Sequence, residues 1–167
     1  MTRNTAMTTR ERMTRDFADL NWVTDRIAVG GGIFGPVAMA DVAAEGITHI
    51  VSLSEFDESP LAAEHGVAVL HDYVEDDFEP KDAAWFGRCV KFAKAALAQK
   101  GAKLLVHCAG GINRAPMMTL AVLCSMGWNV EKAMRHMRAC RPCVSFPDVY
   151  VTSVERYLGL DQTAEDL

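Results

Sequence analysis

Between Val106 and Pro116 the chain reads VHCAGGINRAP, with Cys108 directly after an apolar run, glycines at 110 and 111, and Arg114 six residues beyond the thiol. A cysteine attacks as its thiolate, and the free group ionises only near ~8.5, so a thiol meant to react at neutral pH needs positive potential around its sulfur. Paired glycines let the backbone curl so that successive N–H groups point inward, and a helix starting at Arg114 or Ala115 adds its unpaired N–H groups and the positive end of its dipole. Arg114 contributes a planar fork that can hold two oxygens of one phosphate, on binding and as charge shifts in the transition state. A thiolate, an anion cradle and a cationic fork in one loop describe transfer of a phosphoryl group to sulfur.

Such a loop works only if the fold delivers it to one point. Residues 103–106 are near-continuously apolar, the pattern of a strand buried on both faces, and open α/β sheets bind ligands beyond the carboxyl ends of their strands. Residues 26–29, 49–53 and 67–74 also read as strands. Pro36 opens a helix that Gly46 stops, and a short helical stretch covers 61–65. Pro80 opens the longest helix, whose apolar stripe is Trp85, Val90, Phe92, Ala93, Ala96 and Leu97. Helical segments at 115–126, 130–140 and 148–158 complete the chain. Strands alternating with helices predict an α/β fold, a single-domain sandwich with a central, mostly parallel sheet flanked by helices.

The 167 residues make one domain, large enough to bury about two-thirds of its unfolded surface. Every apolar run is broken well before the about 18 residues a membrane span needs. The N-terminal stretch carries Arg3, Arg10, Arg12 and Arg15 but no apolar segment that could serve as a secretory leader. The chain therefore reads as soluble and cytoplasmic, without a membrane partner. Lys and Arg number 17 against 22 Asp and Glu, a formal charge of -5, which argues against a nucleic-acid binder, since that needs a positive face. The five cysteines read as free thiols, because thiols in a reducing compartment do not build disulfide frameworks.

His107-Cys108, five residues and then Arg114 resembles the HCx5R loop of cysteine-dependent phosphatases, and KFAKAALAQKGAKLLVHC with MGWNVEKAMRHMRACRP resembles the flanking segments of the dual-specificity phosphatases. The resemblance spans roughly 21–158. It implies a catalytic domain at 21–160, between an N-terminal segment at 1–20 and a tail at 161–167. It implies hydrolysis of phosphotyrosine, with phosphoserine and phosphothreonine as further candidates, in a phosphorylated protein, by a monomer that needs neither metal nor other cofactor. Cys108 is then the nucleophile. Arg114 and the backbone of Ala109, Gly110, Gly111, Ile112 and Asn113 hold the phosphate, and His107 braces the loop. The family also uses an acid on an upstream loop, and by its spacing to the cysteine Asp76 in HDYVEDDFEP is the choice, with Asp77 the alternative and Asp72 third. Glu75, Asp77 and Glu79 crowd Asp76 with like charge, which suits a group that must keep a proton.

Ala115 departs from the family's pattern, where a Ser or Thr hydroxyl helps the cysteine leave, and so predicts slower breakdown of the cysteinyl-phosphate. Arg-Ala-Pro also resembles the glucan phosphatases of this superfamily, which keeps phosphoglucan as an alternative substrate. A non-catalytic phospho-binding module is a further alternative, disfavoured because Cys108 and Arg114 are both present. The loop interior carries no lysine, unlike phosphoinositide phosphatases. Two rival motifs remain. Gly30, Gly32 and Gly35 spell GxGxxG, with Glu55 downstream, as in a dinucleotide site, but one domain of this length has no room for two nucleotide-binding halves. Cys140-Arg-Pro-Cys143, with His136 nearby, leaves a tetrahedral metal site short of ligands and reads as a helix end. His49, His65, His71 and His136 read as structural or surface residues.

Overall fold

The computed structural model describes residues 18–160, so most of the N-terminal segment assigned to 1–20 and all of the tail at 161–167 lie outside the described residues. Five strands form one sheet in the order β1-β2-β5-β3-β4: β1 (Leu20–Trp22), β2 (Ile27–Gly30), β3 (His49–Ser52), β4 (Ala68–His71) and β5 (Leu104–His107). All neighbouring pairs are parallel except β1 with β2. Strand β5 lies at the centre, every residue buried, as its unbroken apolar sequence predicts.

Alternation along the strands divides the core in two. Val29, Val51, Leu104 and Val106 point into one cluster, shared with α3 (Ala83–Leu97), α4 (Arg114–Ser125), α5 (Val130–Cys140) and α6 (Asp148–Tyr157). Ala28, Ile50 and Leu105 point the other way, onto α1 (Pro36–Ala44) and α2 (Ser59–Ala63). Period two along each strand thus builds a three-layer sandwich. Helix α4 is buried on all sides over its first ten residues, Arg114–Leu123. A helix so enclosed cannot drift, and its amino end is fixed at the carboxyl end of β5.

Three elements differ from the sequence reading. Strand β1 is absent from it, and the third strand is half the expected length, Ala68–His71 rather than 67–74. Beyond His71 the chain still donates to β3, Asp72 N–H to the Ser52 carbonyl at 2.9 Å and Val74 N–H to that of Leu53 at 3.4 Å, while it peels away as a loop. The long helix starts at Ala83, not Pro80, because the Asp82 carboxylate caps it by accepting from Ala84 N–H at 3.1 Å. Among the described residues no helix is long and apolar enough to cross a membrane.

Candidate active site

The loop from Cys108 to Arg114 joins β5 to α4 at the carboxyl end of the parallel strands. Its curl is set at Gly111, whose φ of 64° and tight surroundings exclude a side chain: a Cβ there would meet Arg141 Nη2 at 2.6 Å. Cys108 is 2% exposed, and its sulfur accepts from Gly111 N–H at 3.2 Å and from Ala115 N–H at 3.4 Å. Both donors favour negative charge on sulfur, and the second belongs to the first turn of α4. Burial pushes Cys89 up to about 12 and Cys124 to about 11, and it raises Cys140 as well. These remain thiols at neutral pH.

Arg114 is 9% exposed. One guanidinium nitrogen, Nη1, donates to the carbonyls of Val74 at 3.0 Å and Leu53 at 3.4 Å, anchoring the arginine to the loops after β4 and β3. Its Nε is the only buried side-chain polar atom among the described residues without a partner. An orphaned buried donor is costly in a folded protein and marks a place for an absent acceptor. An anionic oxygen beside the loop would satisfy it.

Asp76 reaches this loop directly. Its Oδ2 accepts from Asn113 Nδ2 at 3.1 Å and its Oδ1 from the Tyr150 hydroxyl at 2.8 Å. The alternative acids are engaged elsewhere. Asp77 pairs with Lys81 and accepts from Glu79 N–H, contacts that hold its carboxyl below the usual range. Asp72 takes Arg88 in a two-pronged contact, at 2.7 and 3.3 Å.

Two braces behind the loop were not foreseen. Arg141, 2% exposed, donates to the carbonyls of Gly111 at 2.9 Å and Gly110 at 3.2 Å, and its remaining donors go to the Asp19 carboxylate and Asn21. The CRPC stretch is thus a helix end, and its arginine carries the backbone of the loop from Cys108 to Arg114. Glu58, wholly buried, meets His107 Nε2 with one oxygen and Ser52 Oγ at 3.0 Å with the other. His107 Nδ1 faces the Cys108 carbonyl at 3.3 Å. The histidine sits against the Cys108 carbonyl, with the Glu58 carboxylate behind it. The GxGxxG segment also serves this loop: Gly30 carbonyl accepts from Cys108 N–H at 3.3 Å, and Gly32 N–H donates to the Ala109 carbonyl at 2.9 Å. A Cβ on Gly30 would meet the Asp19 carbonyl at 2.2 Å, so that glycine admits the backbone ahead of β1, and the segment packs against the protein's own chain rather than a dinucleotide. Among the other histidines, His136 bonds the Val23 carbonyl and His71 that of Ser54.

A family model for the dual specificity phosphatase catalytic domain matches residues 36–157. The chain belongs to that family. Solved structures agree in fold with this phosphatase domain. PTPMT1 in complex with PI(5)P superposes with a TM-score of 0.75 at 18% identity, over 89% of this chain and 99% of that one. Human DUSP28 gives 0.73 at 24% identity, over 86% and 95%. DUSP15 gives 0.73 at 21%, over 89% and 96%. The phosphatase is accordingly a cysteine-based phosphoester hydrolase on a five-stranded, mostly parallel α/β sandwich.

Glu58 gives the domain a pH-dependent brace. Burial alone would push its carboxyl up, but the bonds from His107 and Ser52 outweigh burial and leave it below the ordinary value of 4.5. A carboxyl depressed in the folded state stabilises the fold above its unfolded value, and that contribution is lost as pH falls through the folded one. Glu58→Gln, which keeps the shape and removes the charge, should therefore lower stability at pH 7 by on the order of 2 kcal/mol. The melting-temperature gap from wild type should close as pH falls below 4.5. A gap of constant size across that range would mean that charge on Glu58 does not stabilise the fold.

Proposed function

We propose that this phosphatase hydrolyses phosphotyrosine in proteins, with phosphoserine and phosphothreonine also accepted, through a cysteinyl-phosphate intermediate. The observation that carries the reading is one loop that holds the orphaned Nε of Arg114, a thiol cradled by backbone N–H groups, and Asn113, which donates to the Asp76 carboxylate. In the first step the Cys108 thiolate attacks phosphorus in line. Arg114 and the N–H groups of residues 109–114 hold the equatorial oxygens, and Asp76 gives its proton to the departing oxygen. In the second step Asp76, now a carboxylate, takes a proton from water as that water attacks phosphorus, and the thiolate leaves with release of inorganic phosphate. Ala115 offers no hydroxyl to the departing sulfur, but its N–H already lies 3.4 Å from it.

The mouth of the site supports a phosphoprotein over an anionic lipid. Phe56, Tyr73 and Phe78 are exposed on the loops that follow β3 and β4, with Glu55, Glu75, Asp77 and Glu79 among them. The Tyr73 hydroxyl donates to Glu55 at 3.2 Å, tying these loops together. Aromatic faces suit a phosphotyrosine ring, whereas the carboxylates repel the further phosphates of an inositol lipid. PTPMT1, whose structure holds PI(5)P, shares the fold at only 18% identity. The test is phosphate release from phosphotyrosyl and phosphothreonyl peptides, phosphoglucan and phosphoinositide vesicles. The phosphotyrosyl peptide should show the highest kcat/KM. Faster turnover of phosphoglucan or lipid would overturn the protein substrate, and binding without turnover of any would favour a phospho-binding module.

A further inference from the structure

Tyr150 belongs to α6, 74 residues beyond Asp76, yet its hydroxyl is the nearest support of the proposed acid. The side chain is 1% exposed, and the hydroxyl oxygen also accepts from Phe78 N–H at 3.1 Å. The Phe78 ring stacks on the Tyr150 ring, centroids 5.8 Å apart and planes 4° from parallel, and Lys81 Nζ lies 5.6 Å above the same ring. Lys81 N–H is fastened to Ser153 Oγ of α6 at 3.0 Å. Phe78 itself has φ of 58°, the only non-glycine residue at positive φ among the described residues. A bulky side chain rarely adopts that backbone without surroundings that enforce it. The turn that carries Asp76 is thus held onto α6 at the acid itself and at Phe78 and Lys81 beyond it.

We infer that Tyr150 is a positioning residue for catalysis: together with Asn113 it fixes the Asp76 carboxyl, and so the proton it carries, over the phosphate loop. The inference rests on Asp76 being the acid. Burial, ahead of the neighbouring Asp76, pushes the Tyr150 hydroxyl up to about 12, so it keeps its proton throughout the working pH range. With its oxygen accepting from Phe78 N–H, that hydroxyl donates to Oδ1. Each carboxyl oxygen thus accepts one bond, Oδ1 from Tyr150 and Oδ2 from Asn113 of the loop, and the proton for the leaving group is placed on Oδ2, the oxygen on the loop side. In the first step the Oδ2–H bond breaks as the proton passes to the departing oxygen. Between the two steps Asp76 is a carboxylate to which Tyr150 and Asn113 both donate, and in the second step Oδ2 takes a proton from the attacking water and the acid is restored. No proton passes through Tyr150.

Tyr150→Phe keeps the ring, its stacking and its burial, and removes only the hydroxyl. It should lower kcat about tenfold for alkyl or phenyl phosphates, whose leaving groups need a proton, with KM little changed. An activated aryl phosphate should be hydrolysed at nearly the wild-type rate, which also reports that the variant is folded. Added to Asp76→Asn, the same substitution should cause no further loss, because it acts only through that carboxyl. Should Tyr150→Phe not fold, Asn113→Ala removes the other donor to the same carboxylate and should show the same dependence on leaving group. An unchanged ratio between poor and activated substrates in Tyr150→Phe, or a full further loss in the double variant, would overturn the positioning role. If Asp76→Asn alone had no leaving-group-dependent effect, the assignment of the acid would fail first and this inference with it.

Discussion

Cys108→Ser is expected to reduce phosphate release from an aryl phosphate by on the order of 10⁵-fold, the scale on which covalent nucleophiles are lost. A serine hydroxyl in this loop is not ionised at neutral pH, and two N–H groups at 3.2 and 3.4 Å do not change that. The fold should persist, because the substitution is nearly isosteric and the loop is held by Arg141, Gly30 and Gly32 rather than by the sulfur. Inorganic phosphate should still bind to the variant, since Arg114 and the backbone donors remain. Calorimetry with phosphate and a melting curve separate loss of chemistry from loss of structure. Activity at even a tenth of wild type would rule out attack by Cys108.

The chemistry of the loop was legible because it is local. Cys108, Gly111 and Arg114 lie within seven residues, and the apolar strand before them and helix after them fix their setting. What escaped the reading is what the fold brings from a distance. Glu58 lies 49 residues before His107, and Arg141 lies 30 beyond Gly111. No spacing rule links such pairs, and each residue alone reads as an ordinary charge on a helical segment. Only burial reveals them, since a carboxylate and a guanidinium enclosed at 0% and 2% exposure must have partners. Strand β1 was missed for another reason: three half-buried residues are too few to show a period of two, and its pairing depends on β2. The glycine at 30 matches a motif whose physical meaning is close backbone approach, and here the approaching group is the Asp19 carbonyl rather than a ligand, while a Cβ on Gly32 would meet the Phe34 ring.

Spacing to the cysteine favours Asp76 with Asp77 as the alternative, and the two carboxylates differ in their contacts, Asp76 with Asn113 and Tyr150, Asp77 with Lys81 and Glu79 N–H. Asp76→Asn is expected to lower kcat on the order of 10²-fold for substrates with poor leaving groups, the usual contribution of a positioned acid. An easily departing phenol should suffer much less, because it leaves without a proton. The asparagine fits the space but not the bonding. Its carbonyl can accept from the Tyr150 hydroxyl, while its amide then opposes the Asn113 amide, so the latter must turn over to present oxygen. KM should move little, since the phosphate contacts of Arg114 are untouched. Asp77→Asn is the control. Asp77 is bound to Lys81 and to Glu79 N–H, contacts that lower its proton affinity, and a group held ionised makes a poor proton donor. Its replacement should leave turnover of both substrate types within about twofold of wild type, as for a surface change away from the chemistry. A larger loss in Asp77→Asn than in Asp76→Asn, confined to poor leaving groups, would move the acid by one residue and detach it from Tyr150 and Asn113.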